Sequence, residues 1–153
     1  MSESTNWVQR RAIKERVLDT GAIEVWNEVR SSLEDACESY NKHYCPNPNR
    51  QEVKYRPENG NRLLITRTVQ GDHLTNFREV VTQVIVEFDS AIPAIRFTRD
   101  ERPRELRISS NDSSAYVKEG ESQISPDEVS RRILEPIFFP SGERTHPIFQ
   151  VGV

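Results

Sequence analysis

The stretch EVVTQVIVEFD, residues 79–89, alternates with the two-residue period of a β-strand. Val80, Val84, Val86 and Phe88 share one face with Thr82, while Val81, Gln83, Ile85, Glu87 and Asp89 share the other. An almost wholly apolar face opposite one that ends in acids is the pattern of a sheet buried on one side and mostly solvated on the other. The flanks supply its neighbours. QEVKYR at 51–56 and RLLITRTV at 62–69 flank Pro57-Glu58-Asn59-Gly60-Asn61, a turn-rich link of the kind that joins antiparallel strands. Downstream, PAIRFTR at 93–99 and RELRISS at 104–110 alternate around a charged loop, and AYVK at 115–118 adds a short edge strand. The expectation is an antiparallel meander of about five strands.

A sheet with one apolar face needs a cover, and the rest of the chain reads as helix. Ala22, Trp26, Val29, Leu33, Ala36, Cys37, Tyr40 and Tyr44 form one apolar stripe on a 3.6-residue period, with Glu24, Glu28, Asp35, Glu38 and Lys42 opposite. Pro46 closes this helix, because the residue before a proline is pushed out of the α region. Residues 4–19 are also helix-like, and Thr20-Gly21 is expected to interrupt the two, since glycine costs roughly 1 kcal/mol against alanine inside a helix. Ser125-Pro126-Asp127-Glu128 is a helix start: a serine cap, proline at the first helical position and two acids suited to the helix dipole. Val129, Ile133, Leu134 and Ile137 make its stripe, and Pro136 is expected to end or kink it near Glu135.

The fold class is therefore α+β: N-terminal helices, the meander, and a C-terminal helix packed on one sheet face. Residues 1–153 read as one domain, in which residues 1–20 are an N-terminal helix free to move and residues 141–153 a final strand or a docking segment. The formal charge of −3 gives no global basic field, so nucleic acid is not an expected partner. The start MSESTNW has no apolar leader, and runs such as VIV and IFF are far too short to span a bilayer, so the expected location is the cytoplasm, away from membranes.

Chemistry, if any, should sit in CESYNKHYC, residues 37–45, which holds both cysteines and one of three histidines. Eight helical residues rise about 12 Å, too far for Cys37 and Cys45 to share a disulfide or a zinc ion. His43 has only the distant His73 and His146 as companions, so neither metal nor cofactor is expected, and Cys37 in the apolar stripe reads as a small hydrophobe. No nucleophile elbow, phosphate loop or metalloprotease motif is present, and no residue is singled out as catalytic.

Two features point to binding instead. Arg96, Arg99, Arg102, Arg104 and Arg107 cluster within twelve residues, and alternation puts Arg96 and Arg107 on one solvated face, where guanidinium forks suit an anionic group on a partner. The helical region is also dipolar: residues 10–16 carry four positive charges and one negative, or +3, and residues 19–38 carry six acids against Arg30, or −5. Such a segment can dock on its own copy or on a partner helix, and Trp7 adds apolar surface to the basic end. The leading expectation is a protein–protein interaction or self-association module. The alternative is a small-molecule binder or enzyme with a pocket between helices and sheet, lined by Trp26, Tyr40, Val84, Val86 and Phe88.

Overall fold

Asn6 opens the first helix, α1 (Trp7–Tyr44), through a reciprocal cap in which its side chain accepts from the Gln9 amide and the Gln9 side chain reaches back to the Asn6 amide. The computed structural model describes residues 6–45, 51–70 and 79–140. After α1 come β1 (Gln51–Asn59), β2 (Arg62–Val69), β3 (Val80–Asp89), β4 (Ala94–Arg99), β5 (Arg102–Ser110), β6 (Ala115–Glu119), β7 (Ser122–Ile124) and α2 (Pro126–Phe138). The strands form one antiparallel sheet in sequence order, β1 through β7, with every neighbour a hairpin partner.

The meander is as expected in kind and longer in extent, with seven strands among the described residues rather than about five. AYVK lies in β6, which is not the edge: Gly120, at φ +60°, turns the chain so that β7 pairs alongside it. The first hairpin is tighter than its proline and asparagine suggest. β1 continues through Pro57 with a register shift between Pro57 and Asn59, leaving Gly60-Asn61 as the turn. Proline is tolerated there because β1 is an edge strand, where an amide facing away from the ladder is not missed.

The expected break at Thr20-Gly21 is absent, and α1 is one helix about 57 Å long. Gly21 is a packing position: a Cβ built on it lies 2.8 Å from the Ala115 Cβ, so a bare backbone lets α1 lie directly on β6. From Gly21 to Asn41 the helix rises about 30 Å, and the five interstrand steps from β6 to β1 span about 24 Å. The helix therefore crosses the sheet obliquely. At its far end the Asn41 side chain accepts from the Val53 amide at 2.8 Å and donates to the Val53 carbonyl at 2.7 Å. Beyond Tyr44, Cys45 caps the helix, its amide bonded to the Asn41 carbonyl.

Helix α2 begins at the Ser125 cap, whose hydroxyl accepts from the Glu128 amide. It runs through Pro136 instead of stopping before it, because the next two residues, Ile137 and Phe138, are buried and tertiary packing outweighs the lost amide bond. Both helices cover the same sheet face, meeting at Ser32, which donates to Asp127 at 2.8 Å, and at the stacked rings of Tyr40 and Phe138. The core lies between these layers, where Val84, Val86, Ile65, Leu63, Ile95 and Val117 meet Trp26, Val29, Leu33 and Ile133. No described helix is long and apolar enough to cross a membrane. The tail 141–153, together with His73 and His146, lies outside the described residues.

Candidate functional site

The stretch CESYNKHYC is the docking end of α1. Cys37, Tyr40 and Cys45 are buried, and the Tyr40 hydroxyl accepts from the Arg67 Nε at 3.2 Å and from Gln51 at 2.7 Å while donating to the Phe138 carbonyl at 3.3 Å. Burial, reinforced by Glu34 and Glu38, pushes the Cys37 thiol up to about 12; burial also pushes the Cys45 thiol up to about 11, against the lowering influence of Arg67. A thiol so protonated is a poor nucleophile and a poor metal ligand at neutral pH. Among the described residues no group of three or more histidine, cysteine or acidic side chains is placed to hold a metal ion.

The five residues read as a pocket lining, Trp26, Tyr40, Val84, Val86 and Phe88, are all buried in the core. Trp26 stacks on Phe88 with ring centroids 5.7 Å apart, and its indole donates to the Gly60 carbonyl at 2.7 Å. An apolar recess does exist elsewhere. A groove of about 530 Å³ runs between α1 and α2 over Ala36, Leu134 and Phe139.

Arg96 and Arg107 stand on one outward sheet face as alternation requires, and carboxylates hold both. Arg96 reaches Asp89 and Glu105, each at 2.8 Å, and Arg107 reaches the other oxygen of Glu105 at 2.6 Å. The Arg96 hydrogen bond, with Arg107 nearby, keeps the Glu105 carboxyl below its ordinary range, and the Ile92 amide, followed by Ala91 and Arg96, does the same for Asp89.

The other three arginines of the cluster take the opposite face. Phe97 is buried and pairs across the ladder with Arg104, while Arg99 pairs with Arg102, so Arg99, Arg102 and Arg104 share the helix-bearing side beyond the end of the core. That division follows from the two-residue period and was legible from Phe97 alone.

Among the described residues, the first turns of α1 combine strongly exposed apolar and charged side chains. Residues 7–16 are all exposed, Trp7 to 71% and Val8 to 55%, although the Lys14 carbonyl accepts from Ser110 at 2.7 Å. This segment carries Arg10, Arg11, Lys14 and Arg16 against Glu15. Farther along the same helix Glu24, Glu28, Glu34, Asp35 and Glu38 are exposed in succession as an acidic ridge. Arg11 pairs with Glu15 at 3.0 Å, whereas among the described residues Arg10, Lys14, Arg16 and the five ridge acids make no ion pair. Ile23, 53% exposed, lies between the two charge blocks.

The sequence placed both charge blocks correctly but divided them between two helices, so the rigid alignment of one behind the other was missed. No protein-family model, curated protein or solved structure matches the chain.

Proposed function

We propose that this protein is an interaction module that associates with a second copy of itself through α1. The observation that carries the reading is a single continuous helix with exposed Trp7 and a basic block at one end, of which only Arg11 is ion-paired among the described residues, and behind it an acidic ridge that makes no ion pair among the described residues. An isologous dimer needs a surface complementary to itself, and a helix with opposite charges at its two ends meets that need when a copy lies antiparallel. Laying residues 10–16 of one copy against residues 28–38 of the other puts the twofold axis near residue 23. Trp7, on the same side of the helix as Arg10 and Lys14, then gains a neighbour in place of water.

Sedimentation equilibrium at low and high salt tests this. The wild-type chain is expected to dimerise, more weakly as salt shortens the Debye length to about 3 Å at 1 M. The variant R10E/K14E/R16E should be monomeric, as should E28K/E34K/E38K, and mixing the two should restore a heterodimer. A wild-type monomer throughout, or a reversal variant that dimerises as well as wild type, overturns the proposal.

A further inference from the structure

The geometry points to a second binding site, independent of α1 self-association: a recess between the β4–β5 turn and α2 that takes a small polyanion, a molecule with closely spaced phosphate or carboxylate groups. The recess has a volume of about 390 Å³, within the range of small-molecule sites. Buried Phe97 and Ile133 line it with Pro136, and the charged side chains around it are Arg99, Arg102 and Arg104 together with the carboxylate of Asp100. Arg132 completes the wall, its guanidinium oriented by two bonds of 2.9 Å to Glu119 and a further one to Glu128.

Three features single this recess out. Arg99 and Arg102 are direct cross-strand partners, a like-charge pairing that a sheet disfavours, and Arg104 follows on the same face. On the outward face of the same strands Arg96 and Arg107 each have a carboxylate partner, but among the described residues Arg102 and Arg104, like Lys54 and Arg56 on the outward face of β1, have none, and only the former pair lines this recess. Arg99 has only Asp100, at 4.0 Å, whose carboxylate is largely in solvent. Finally, the turn joining these arginines is built from Asp100 and Glu101 at φ 53° and 62°; aspartate is ordinary at the first of these left-handed positions, but glutamate stands at the second, where hairpins use glycine. Like charges thus meet across a two-residue turn in fixed register, and the turn's own Asp100 and Glu101 offset only part of the three positive charges. A ligand with two or more negative groups offsets the rest, since each guanidinium fork can bind a phosphate or carboxylate through paired N–H donors.

Isothermal titration calorimetry with pyrophosphate and with citrate at low ionic strength tests the site. Saturable one-to-one binding of at least one probe is expected, and which one binds tells a phosphate ligand from a polycarboxylate. In R102Q/R104Q, which alters only exposed side chains, binding should weaken about tenfold or more, as loss of charge-assisted hydrogen bonds requires. The control K54Q/R56Q removes the same charge from the outward face of β1 and should bind as wild type, and circular dichroism should show both variants folded. Binding of neither probe, or equal weakening in the control, overturns the assignment.

Discussion

Replacing Gly21 with alanine sets two known effects against each other. In an exposed helix the change stabilises by about 0.8–1.0 kcal/mol, because alanine loses less backbone entropy. Here the new methyl would sit 2.8 Å from the Ala115 Cβ, with the Ala115 amide nitrogen 3.4 Å away, so α1 must lift from β6 or the strand must move. Overpacking of this kind costs about 1–3 kcal/mol. The clash should win, giving a net loss of about 1 kcal/mol. Removing the obstructing methyl reverses the sign: in G21A/A115G the nearest remaining atoms are the Ala115 backbone nitrogen and Cα, at 3.4 and 3.7 Å, which backbone adjustment can accommodate. Urea unfolding of the four members of the cycle should therefore show a favourable coupling of about 1 kcal/mol or more between the two substitutions, well outside the few tenths expected of independent sites. A G21A protein more stable than wild type, or an additive cycle, would mean that α1 does not rest on β6 and that the glycine is merely a weak point in the helix.

Trp26→Phe should lower stability by about 2–4 kcal/mol in the same assay, because the Gly60 carbonyl loses its indole donor and the ring stacked on Phe88 shrinks; a change below about 0.5 kcal/mol would remove that bond from the account of the first hairpin. The same variant leaves Trp7 as the sole tryptophan, so its emission should shift to the blue on dimerisation. Cys37 titrates near 12 in the folded chain and near 9.0 once unfolded, so below pH 9 its contribution is fully present, and it is lost as pH rises toward 12. Stability should thus fall across that window, with Cys37 contributing at most about 1.4 kcal/mol per pH unit, and Cys37→Ala should flatten the slope; an unchanged slope refutes the buried-thiol reading. Native protein should also react sluggishly with thiol reagents at pH 8 and rapidly once unfolded.

The elements that were legible in the sequence are those whose signal is local. Alternation in Val84, Val86 and Phe88 located the central strand, and Ser125-Pro126 located the start of α2 to the residue. What failed was local grammar overruled by distant contacts. Gly21 reads as a helix breaker until Ala115, far along the chain, is seen against it. Pro136 reads as a stop until Ile137 and Phe138 are found buried beyond it, and Pro57 as part of a turn until β1 proves to be an edge. Strand β7, with three residues and little alternation, offered only Gly120 as a clue. The arginine cluster is visible in the sequence, and the two-residue period assigns Arg96 and Arg107 to one side and Arg99, Arg102 and Arg104 to the other, alongside Phe97.

The bridge from Asn41 to Val53 also bears on how the chain avoids aggregation. Strand β1 is the longer of the two sheet margins, and at Val53 its outward amide and carbonyl are both taken by one carboxamide, which imitates a short piece of an eighth strand. Every strand pairing in the meander is between sequence neighbours, so none of them depends on α1 for its register. Plugging the margin requires a docked α1, because the carboxamide comes from Asn41. A chain with α1 undocked would present those edge groups as an open β-template to its neighbours, so α1 covers the sheet margin as well as the core.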